Sequence, residues 1–111
     1  MTNADSPTPP QQPSQPQPAA AERCPVLELG QIVATANAVS QLPNSAILIG
    51  IARHCTGDWG DVCEEDRESN DAALRDGERI LSVYQTAAGV TFWIITEWDR
   101  SITTVLMPED Y

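Results

Sequence analysis

The chain has 111 residues, room for one domain, and a formal net charge of −10 from 16 acidic and 6 basic residues. So acidic a chain is a poor ligand for nucleic-acid phosphates, because that binding uses cationic side chains to displace counterions. We expect a soluble, cytoplasmic protein for two reasons. The sequence has no apolar run near the roughly 20 residues that span a membrane. It also lacks the basic start and following apolar run of a secretory signal.

Residues 1–24 are predicted to be a disordered tail. Proline and glutamine dominate residues 1–20, and apolar side chains are almost absent, so the segment cannot bury enough surface to offset the entropy lost on ordering. Residues 25–111 are then one domain. The three cysteines, Cys24, Cys55 and Cys63, form no CxxC pair, and we expect no disulfide framework, no metal site and no cofactor.

The domain begins with a predicted strand, Val26–Ala34, that breaks or bends at Gly30. Thr35 is a suitable N-cap for a short helix over Ala36–Leu42, which Pro43 ends. A second helix is predicted at about Ala46–Cys55, capped by Asn44 or Ser45. Its inward stripe at helical spacing consists of Leu48, Ile51, Ala52 and Cys55, widened by Ile47 and Ile49.

A third helix follows the TGDWGD loop and is predicted to end at Gly77, the usual left-handed terminator. Asp61 with Glu64 is close to a capping box. Acidic residues crowd the first turns, as the helix dipole favours. The predicted inward stripe is Cys63, Asp66, Asn70, Ala73, Leu74 and Gly77.

The C-terminal third is predicted to be an antiparallel meander, because β-branched and aromatic residues fill Ile80–Thr86, Val90–Trp98 and Ile102–Met107. Ala87–Gly89 and Asp99–Arg100 are the predicted turns. The fold class is therefore α+β, with a three- to four-stranded antiparallel sheet covered by two to three helices. Val26–Ala34 is the candidate fourth strand.

If both turns are correct, the strand side chains divide into two faces. One face carries Leu81, Val83, Trp93, Ile95, Ile102 and Leu106. The other carries Ser82, Tyr84, Phe92, Ile94, Thr96, Thr103 and Val105. We expect the first, more apolar face to lie under the helices and the hydroxyl-bearing face to meet water or a partner. A slip of one residue would exchange the two faces.

Two groups of polar residues are candidates for a site. The first lies around the TGDWGD loop: His54, Asp58, Glu64, Asp66 and Asn70. A histidine beside carboxylates is general acid–base equipment, but His54 at a helix C-terminus and acids at the next helix N-terminus are also what the two helix dipoles favour. Trp59 is either a partner anchor or cover for the core, and the second is the stronger expectation.

The second group lies at the hairpin tip: Glu97, Asp99, Arg100, Thr103 and Thr104. With His54 and Tyr84 added, it resembles the equipment of small metal-independent ribonucleases, in which an arginine stabilises phosphate charge over an antiparallel sheet. The alternative is that Asp99 and Arg100 form the turn, with Arg100 paired to a neighbouring carboxylate. The absence of lysine and the acidity count against RNA as a ligand.

Several motifs together resemble a family of small, largely uncharacterised bacterial proteins found on plasmids and other mobile elements. The matching segments are LGQIVAT (Leu29–Thr35), HxxGDWGD (His54–Asp61), EED (Glu64–Asp66) with Asn70, LSVY (Leu81–Tyr84) and WIITEWDRSITTVLMPEDY (Trp93–Tyr111). The family more often has Thr-Pro-Gly-Ala at residues 35–38 and alanine at Trp98, and the proline-rich tail has no counterpart. The resemblance implies a bacterial mobile-element context. Family names such as plasmid-related protein or type I restriction endonuclease subunit M do not define a chemistry, and the chain lacks the length and glycine-rich motif of a methyltransferase.

The sequence therefore predicts a non-enzymatic acidic accessory protein that binds a protein partner. A basic protein is the partner class that its charge favours, and anti-restriction or anti-defence activity is one form of this function. Its candidate binding residues are Asp58, Trp59, Glu64, Asp66, Asn70, Asp99, Arg100 and Thr103. The alternative is a small metal-independent, ribonuclease-like hydrolase that uses His54, Glu97, Arg100 and Tyr84.

Overall fold

The computed structural model of the protein describes residues 25–111, so the expectations for the tail and for Cys24 lie outside the described residues. The elements are β1 (Gln31–Ala34), α1 (Ala36–Gln41), α2 (Asn44–Cys55), α3 (Glu64–Asp76), β2 (Ile80–Gln85), β3 (Thr91–Thr96), β4 (Ile102–Leu106) and a final 3₁₀ turn (Pro108–Asp110). Over residues 25–111, none of the helices has the length and apolar character to span a membrane.

The sheet has the strand order β1-β4-β3-β2, and the α+β prediction is confirmed. The predicted antiparallel pairing is correct for β2–β3 and β3–β4 but wrong for β1, which runs parallel to β4 with Ile32 opposite Thr103. The sheet is therefore mixed. A parallel pair needs a long crossover connection, and the three helices between β1 and the meander provide it. Strand propensity in the sequence carries no signal for that direction.

The predicted division of the strand side chains into two faces is confirmed, but the orientation of the sheet was predicted wrongly. Every residue of the hydroxyl-bearing face is buried, from Ser82 on β2 to Val105 on β4. Tyr84, Phe92, Ile94 and Val105 pack there with α1 and α2 in one core cluster. On the opposite face Leu81, Val83 and Trp93 are only half-buried, although Ile95 and Leu106 are buried. The helices cover the hydroxyl face, and the other face is the more open one.

The inward stripe of α2 is only partly as predicted, with Ile47 and Ile51 packed against the core cluster. Gly50 and His54 are its buried residues, whereas Leu48 is 66 % exposed and Ile49 is exposed as well. The reason is close helix–sheet packing: a Cβ on Gly50 would lie 3.0 Å from the Phe92 ring. The helix approaches the sheet through the residue without a side chain, and a count of apolar side chains cannot detect that.

Helix α3 lies along β2, the edge strand of the sheet. Asn70 is buried and exchanges two hydrogen bonds with the backbone of Leu81, at 2.8 and 3.4 Å. Beside it, Gly60 forms a bridge to Val83. Together they occupy backbone groups of β2 that would otherwise be open at the sheet edge.

The predicted ends of the helices are partly correct. Thr35 caps α1 through a hydrogen bond from the Ala38 amide at 3.0 Å, and Gly77 ends α3 at φ 72, both as predicted. The Asp61 cap is wrong, because α3 begins after Cys63 without a side-chain cap. The caps predicted for α2 are wrong as well, because Pro43 holds that position.

The inward stripe of α3 was only half correct, because Asn70 and Ala73 are buried while Cys63 and Asp66 are exposed. The predicted two-residue turn at Asp99–Arg100 is also wrong. The Arg100 amide donates to the Glu97 carbonyl, so Trp98 and Asp99 are the central residues of the turn. Arg100 follows in the left-handed region at φ 61.

Candidate functional site

His54 lies between α2 and the sheet in a fully buried hydrogen-bond network. Its Nδ1 is 2.6 Å from Ser82 Oγ and its Nε2 is 2.8 Å from Thr96 Oγ1. Thr96 Oγ1 is 2.7 Å from Thr103 Oγ1, which donates to the Leu29 carbonyl at 2.7 Å. We call this the His54 network.

The last link of the His54 network fixes the direction of the others. A hydroxyl has one proton, and that of Thr103 goes to a carbonyl that can only accept. Thr96 must then donate to Thr103 and accept from His54, so His54 carries its proton on Nε2. Ser82 donates to the bare Nδ1. Burial lowers the pKa of His54 to about 4, with the Arg100 charge adding to the effect.

His54 therefore contributes as a neutral, satisfied core residue. Its exposed fraction is 0 %, and the edge of its ring meets Trp59 with the centroids 5.8 Å apart. The carboxylates that the sequence suggested as neighbours are not its hydrogen-bond partners. The hydroxyls of Ser82, Thr96 and Thr103, predicted to face water or a partner, are instead the groups that satisfy it.

The TGDWGD loop is fastened to the domain by its polar side chains. Asp58 accepts two hydrogen bonds from the Arg53 guanidinium, at 2.7 and 3.1 Å, which raise the pKa of Arg53. Tyr84 donates to the Asp58 carbonyl at 2.5 Å, and burial raises the pKa of that phenol. Trp59 is buried and donates to Asp71 at 2.9 Å. Trp59 therefore packs over the core, which was the stronger of the two expectations.

Arg100 is occupied by backbone carbonyls. It donates to Glu78 at 2.6 Å and to Ala73 near the C-terminus of α3 at 2.8 Å. A cation at that helix end is favoured by the dipole. Asp99 binds the Ser101 hydroxyl and amide, and these contacts lower the pKa of Asp99. Both side chains stabilise the hairpin turn, but Arg100 binds carbonyl groups and not the carboxylate that the alternative interpretation expected.

Glu64 and Asp66, both on the first turn of α3, have different surroundings. Glu64 pairs with Arg67 at 3.2 Å on the exposed surface. Asp66 and Asn70 point towards a groove between α3 and the open face of the sheet. The groove encloses about 330 Å³ and is lined by Val62, Asp66, Ser69, Asn70, Arg79, Leu81, Trp93, Ile95 and Tyr111.

The groove has an apolar floor and polar walls. Leu81, Trp93 and Ile95 come from the open face of β2 and β3, and Asp66 and Ser69 come from α3. The far rim is aromatic: Tyr111 meets Trp93 edge to face, with the centroids 5.6 Å apart. This surface is a concave feature that combines apolar and charged lining, as ligand sites do.

Arg79 closes the rim of the groove next to Tyr111. Its guanidinium lies 5.3 Å from the Tyr111 ring centroid, and Nη1 donates to the Tyr111 hydroxyl at 2.9 Å. Its Nε is 3.7 Å from Glu97. Glu97, proposed from the sequence as a catalytic carboxylate, is thus the counter-charge of Arg79.

The C-terminal turn that precedes Tyr111 is hydrogen-bonded to the start of α1. Asp110 accepts from the Thr35 hydroxyl at 2.6 Å, from the Met107 amide at 3.0 Å and from Asn37 at 3.1 Å. The Thr35 hydroxyl is the main cause of the lowered pKa of Asp110. The turn therefore joins the start of α1 to the rim of the groove.

The sequence identified two of the residues that line the groove, Asp66 and Asn70, and missed the rest. Trp93 and Leu81 were assigned to the face expected under the helices, and Arg79 and Tyr111 were not singled out. The sequence signal for Trp93 and Tyr111 is that aromatic residues cluster in the last third of the chain. Within residues 25–111, no group of three or more histidine, cysteine or acidic side chains could hold a metal ion.

Comparison with known proteins adds no relative. No family model, no curated protein and no solved structure matches the chain. The resemblance to plasmid-borne proteins drawn from the motifs stays a prediction.

Proposed function

We propose that the protein is a non-enzymatic binding module that captures a basic segment of a partner protein through α3 and the adjoining groove. The observation that carries this is the placement of charge. The helix sequence EEDRESNDAALRD has six acidic residues and two arginines, a net charge of −4 from 2 − 6. Residues 64–69 are all exposed, and Asp66 among them lines the groove.

A charged surface beside a groove favours association with an oppositely charged partner. Clustered carboxylates raise the encounter rate with a cationic segment, and this attraction falls with salt. A concave apolar floor supplies the burial that charge alone cannot give. The two features adjoin on one side of the molecule, which supports a protein partner over nucleic acid, whose phosphates this surface would repel.

The same geometry weighs against the hydrolase alternative. A general base has to reach the proton that it abstracts, and His54 is fully buried with both ring nitrogens hydrogen-bonded. Arg100 is likewise occupied by carbonyl groups rather than directed at a shared site with His54. The alternative keeps no observation in its favour, and it is retained as an outcome of the test below.

The biological form of this function follows from the motif resemblance. In a bacterial mobile element, an acidic accessory protein would act on a basic host or element-encoded protein. A nucleic-acid-binding protein, whose cationic surface the module would occupy, is the partner class with that chemistry. Anti-restriction or anti-defence activity is one form that such binding would take.

The experiment is affinity capture from a bacterial lysate with the full chain, at low and physiological salt, with bound protein and nucleic acid both identified. The test variant is Glu65→Gln with Glu68→Gln, two exposed carboxylates of α3. The matched control is Glu28→Gln with Glu78→Gln, which removes the same charge from exposed positions outside α3.

We expect an identified basic protein that binds in a salt-sensitive manner, is lost with the α3 pair and is kept with the control pair. Equal loss with both pairs would show that net charge, not α3, is responsible. RNA that is cleaved by the wild type and left intact by His54→Ala would replace the binding module with the hydrolase.

A further inference from the structure

We propose that the groove binds an arginine side chain of the partner segment, with the aliphatic stem on the floor and the guanidinium at Asp66. This inference rests on the proposed function and names the chemistry that the same surface recognises.

The floor of the groove fits the stem of a long cationic side chain. Leu81, Trp93 and Ile95 present apolar surface, and Val62 extends it towards α3. A volume of about 330 Å³ is at the small end of ligand sites, which run from roughly 300 to 1,000 Å³. Arginine buries its methylene stem along apolar surface and keeps its charged head at a polar edge.

The charge of the lining selects a cation. Arg79 and Asp66 are the charged residues that line the groove, and Arg79 already has a counter-charge in Glu97, at 3.7 Å. Within residues 25–111, the Asp66 carboxylate has no hydrogen bond or ion pair with another side chain. An anionic ligand would meet an already paired arginine and an unpaired carboxylate, whereas a cation would find its partner at Asp66.

The polar wall of α3 suits a guanidinium. Asp66 and Ser69 are three residues apart and lie on one face of the helix, and both line the groove. Nor does the Ser69 hydroxyl make a hydrogen bond to any group in the described part of the chain. A carboxylate with a neighbouring hydroxyl offers several acceptors to the planar fork of five N–H donors that arginine presents.

The rim supplies the remaining contact. Trp93 and Tyr111 are both groove-lining rings, and an aromatic face attracts a guanidinium. Arg79 over the Tyr111 ring, 5.3 Å from its centroid, already shows this packing on the same surface. A second guanidinium on the Asp66 side would lie on Trp93 and leave the Arg79–Glu97 pair in place.

The test is an NMR and calorimetric titration of the full chain with the capped tripeptide acetyl-Gly-Arg-Gly-amide. The matched ligand replaces arginine by citrulline, which has the same shape without the charge. The reporter is the Trp93 indole resonance, assigned with Trp93→Phe. The variant is Asp66→Asn, and its control is Glu28→Gln, an exposed carboxylate outside α3 that does not line the groove.

We expect the arginine tripeptide to shift the Trp93 resonance and the citrulline tripeptide to bind at least about tenfold more weakly, as loss of a charge-assisted contact predicts. Binding of the arginine tripeptide should be weakened by a similar factor in Asp66→Asn, and by less than about twofold in Glu28→Gln. Equal binding of the two tripeptides, or equal weakening by the two variants, would overturn the arginine site.

Failure of this inference is distinguishable from failure of the proposed function. A partner that the Glu65/Glu68 variant loses but Asp66→Asn still captures would leave the binding module intact and overturn the arginine site. Loss of both the partner and the tripeptide with Asp66→Asn would support the two together. Because Asp66 is exposed and unpaired, the Asp66→Asn variant should have the circular dichroism spectrum and melting curve of the wild type. That match is the control for unchanged folding.

Discussion

The pH dependence of the free energy of unfolding should reveal that His54 is buried and neutral. The pKa of His54 is lowered from 6.5 to about 4 in the folded protein, chiefly by burial, so the unfolded chain binds this proton more tightly. Above pH 6.5 both states are neutral and the full stability is present. As the pH falls from 6.5 towards 4, the unfolded state takes up the proton and stability is lost.

The size of this loss follows from the two pKa values. At 1.36 kcal/mol per unit, a separation of 2.5 units is worth about 3 kcal/mol below pH 4, and about 2 kcal/mol is lost between pH 7.5 and pH 5. The His54 network explains why the proton is excluded. Protonating Nδ1 would turn an acceptor into a second donor and displace the Ser82 proton that it now receives.

The assay is urea unfolding of the wild type and of His54→Gln at pH 7.5 and pH 5. A glutamine amide supplies one donor for Thr96 and one acceptor for Ser82 but does not titrate. The stability difference between the two proteins should shrink by about 2 kcal/mol on acidification. Taking this difference cancels the contributions of the carboxylates and of the net charge, which both proteins share.

Two results would refute the reasoning about His54. One is a stability difference that does not change with pH. The other comes from the wild type alone, which has a single histidine, so that its ring nitrogens give one set of NMR signals. Those signals should show a proton on Nε2 and no titration near pH 6.5. A histidine that titrates near 6.5, or that carries its proton on Nδ1, contradicts the network.

Three further substitutions, one of them a control, test the packing around the sheet edge and the hairpin. Gly60→Ala should destabilise the protein by about 3 kcal/mol in chemical unfolding, because the glycine has φ 80 and a Cβ would overlap the Val83 carbonyl. The control, Gly77→Ala, should cost only about 1 kcal/mol, because Gly77 has φ 72 but open space around it. Equal losses of stability in the two variants would contradict the close approach of Gly60 to Val83. Arg100→Ala should cost about 2 kcal/mol through lost bonds to carbonyls such as that of Ala73 and leave capture of the partner unchanged, so a stable variant that loses capture would place Arg100 in the binding surface instead.

Local patterns predicted the elements well. Runs of β-branched residues marked the three strands of the meander, and the terminator at Gly77 and the cap at Thr35 were correct because both depend on neighbouring residues alone. The alternation of side chains also divided the faces correctly, since the period of a strand is fixed at two. Each of these features is decided within a few residues.

The relations between elements were not predictable in the same way. Hydrophobicity favoured the Leu81 and Trp93 face as the buried one, but His54 on α2 needed hydroxyl partners and found them on the other face. A buried polar group is tolerated only when its hydrogen bonds are made. The pairing of His54 with Ser82 and Thr96 spans 28 and 42 residues, which local periodicity does not report.

The same choice of which sheet face the helices cover also creates the candidate site. Because the hydroxyls are enclosed with His54, the more apolar face of the sheet is left without a helix over it, and α3 lies at its edge. Arg79 and Tyr111 cover part of that face, and the groove is the remaining part beside Asp66. Substitutions on the two faces should therefore act differently: changes in the His54 network should lower stability, and changes at Asp66 should lower affinity at unchanged stability. The residues that the sequence suggested as catalytic, such as His54 and Arg100, stabilise the fold. The apolar residues that it assigned to the core, such as Leu81 and Trp93, form the floor of the proposed binding groove.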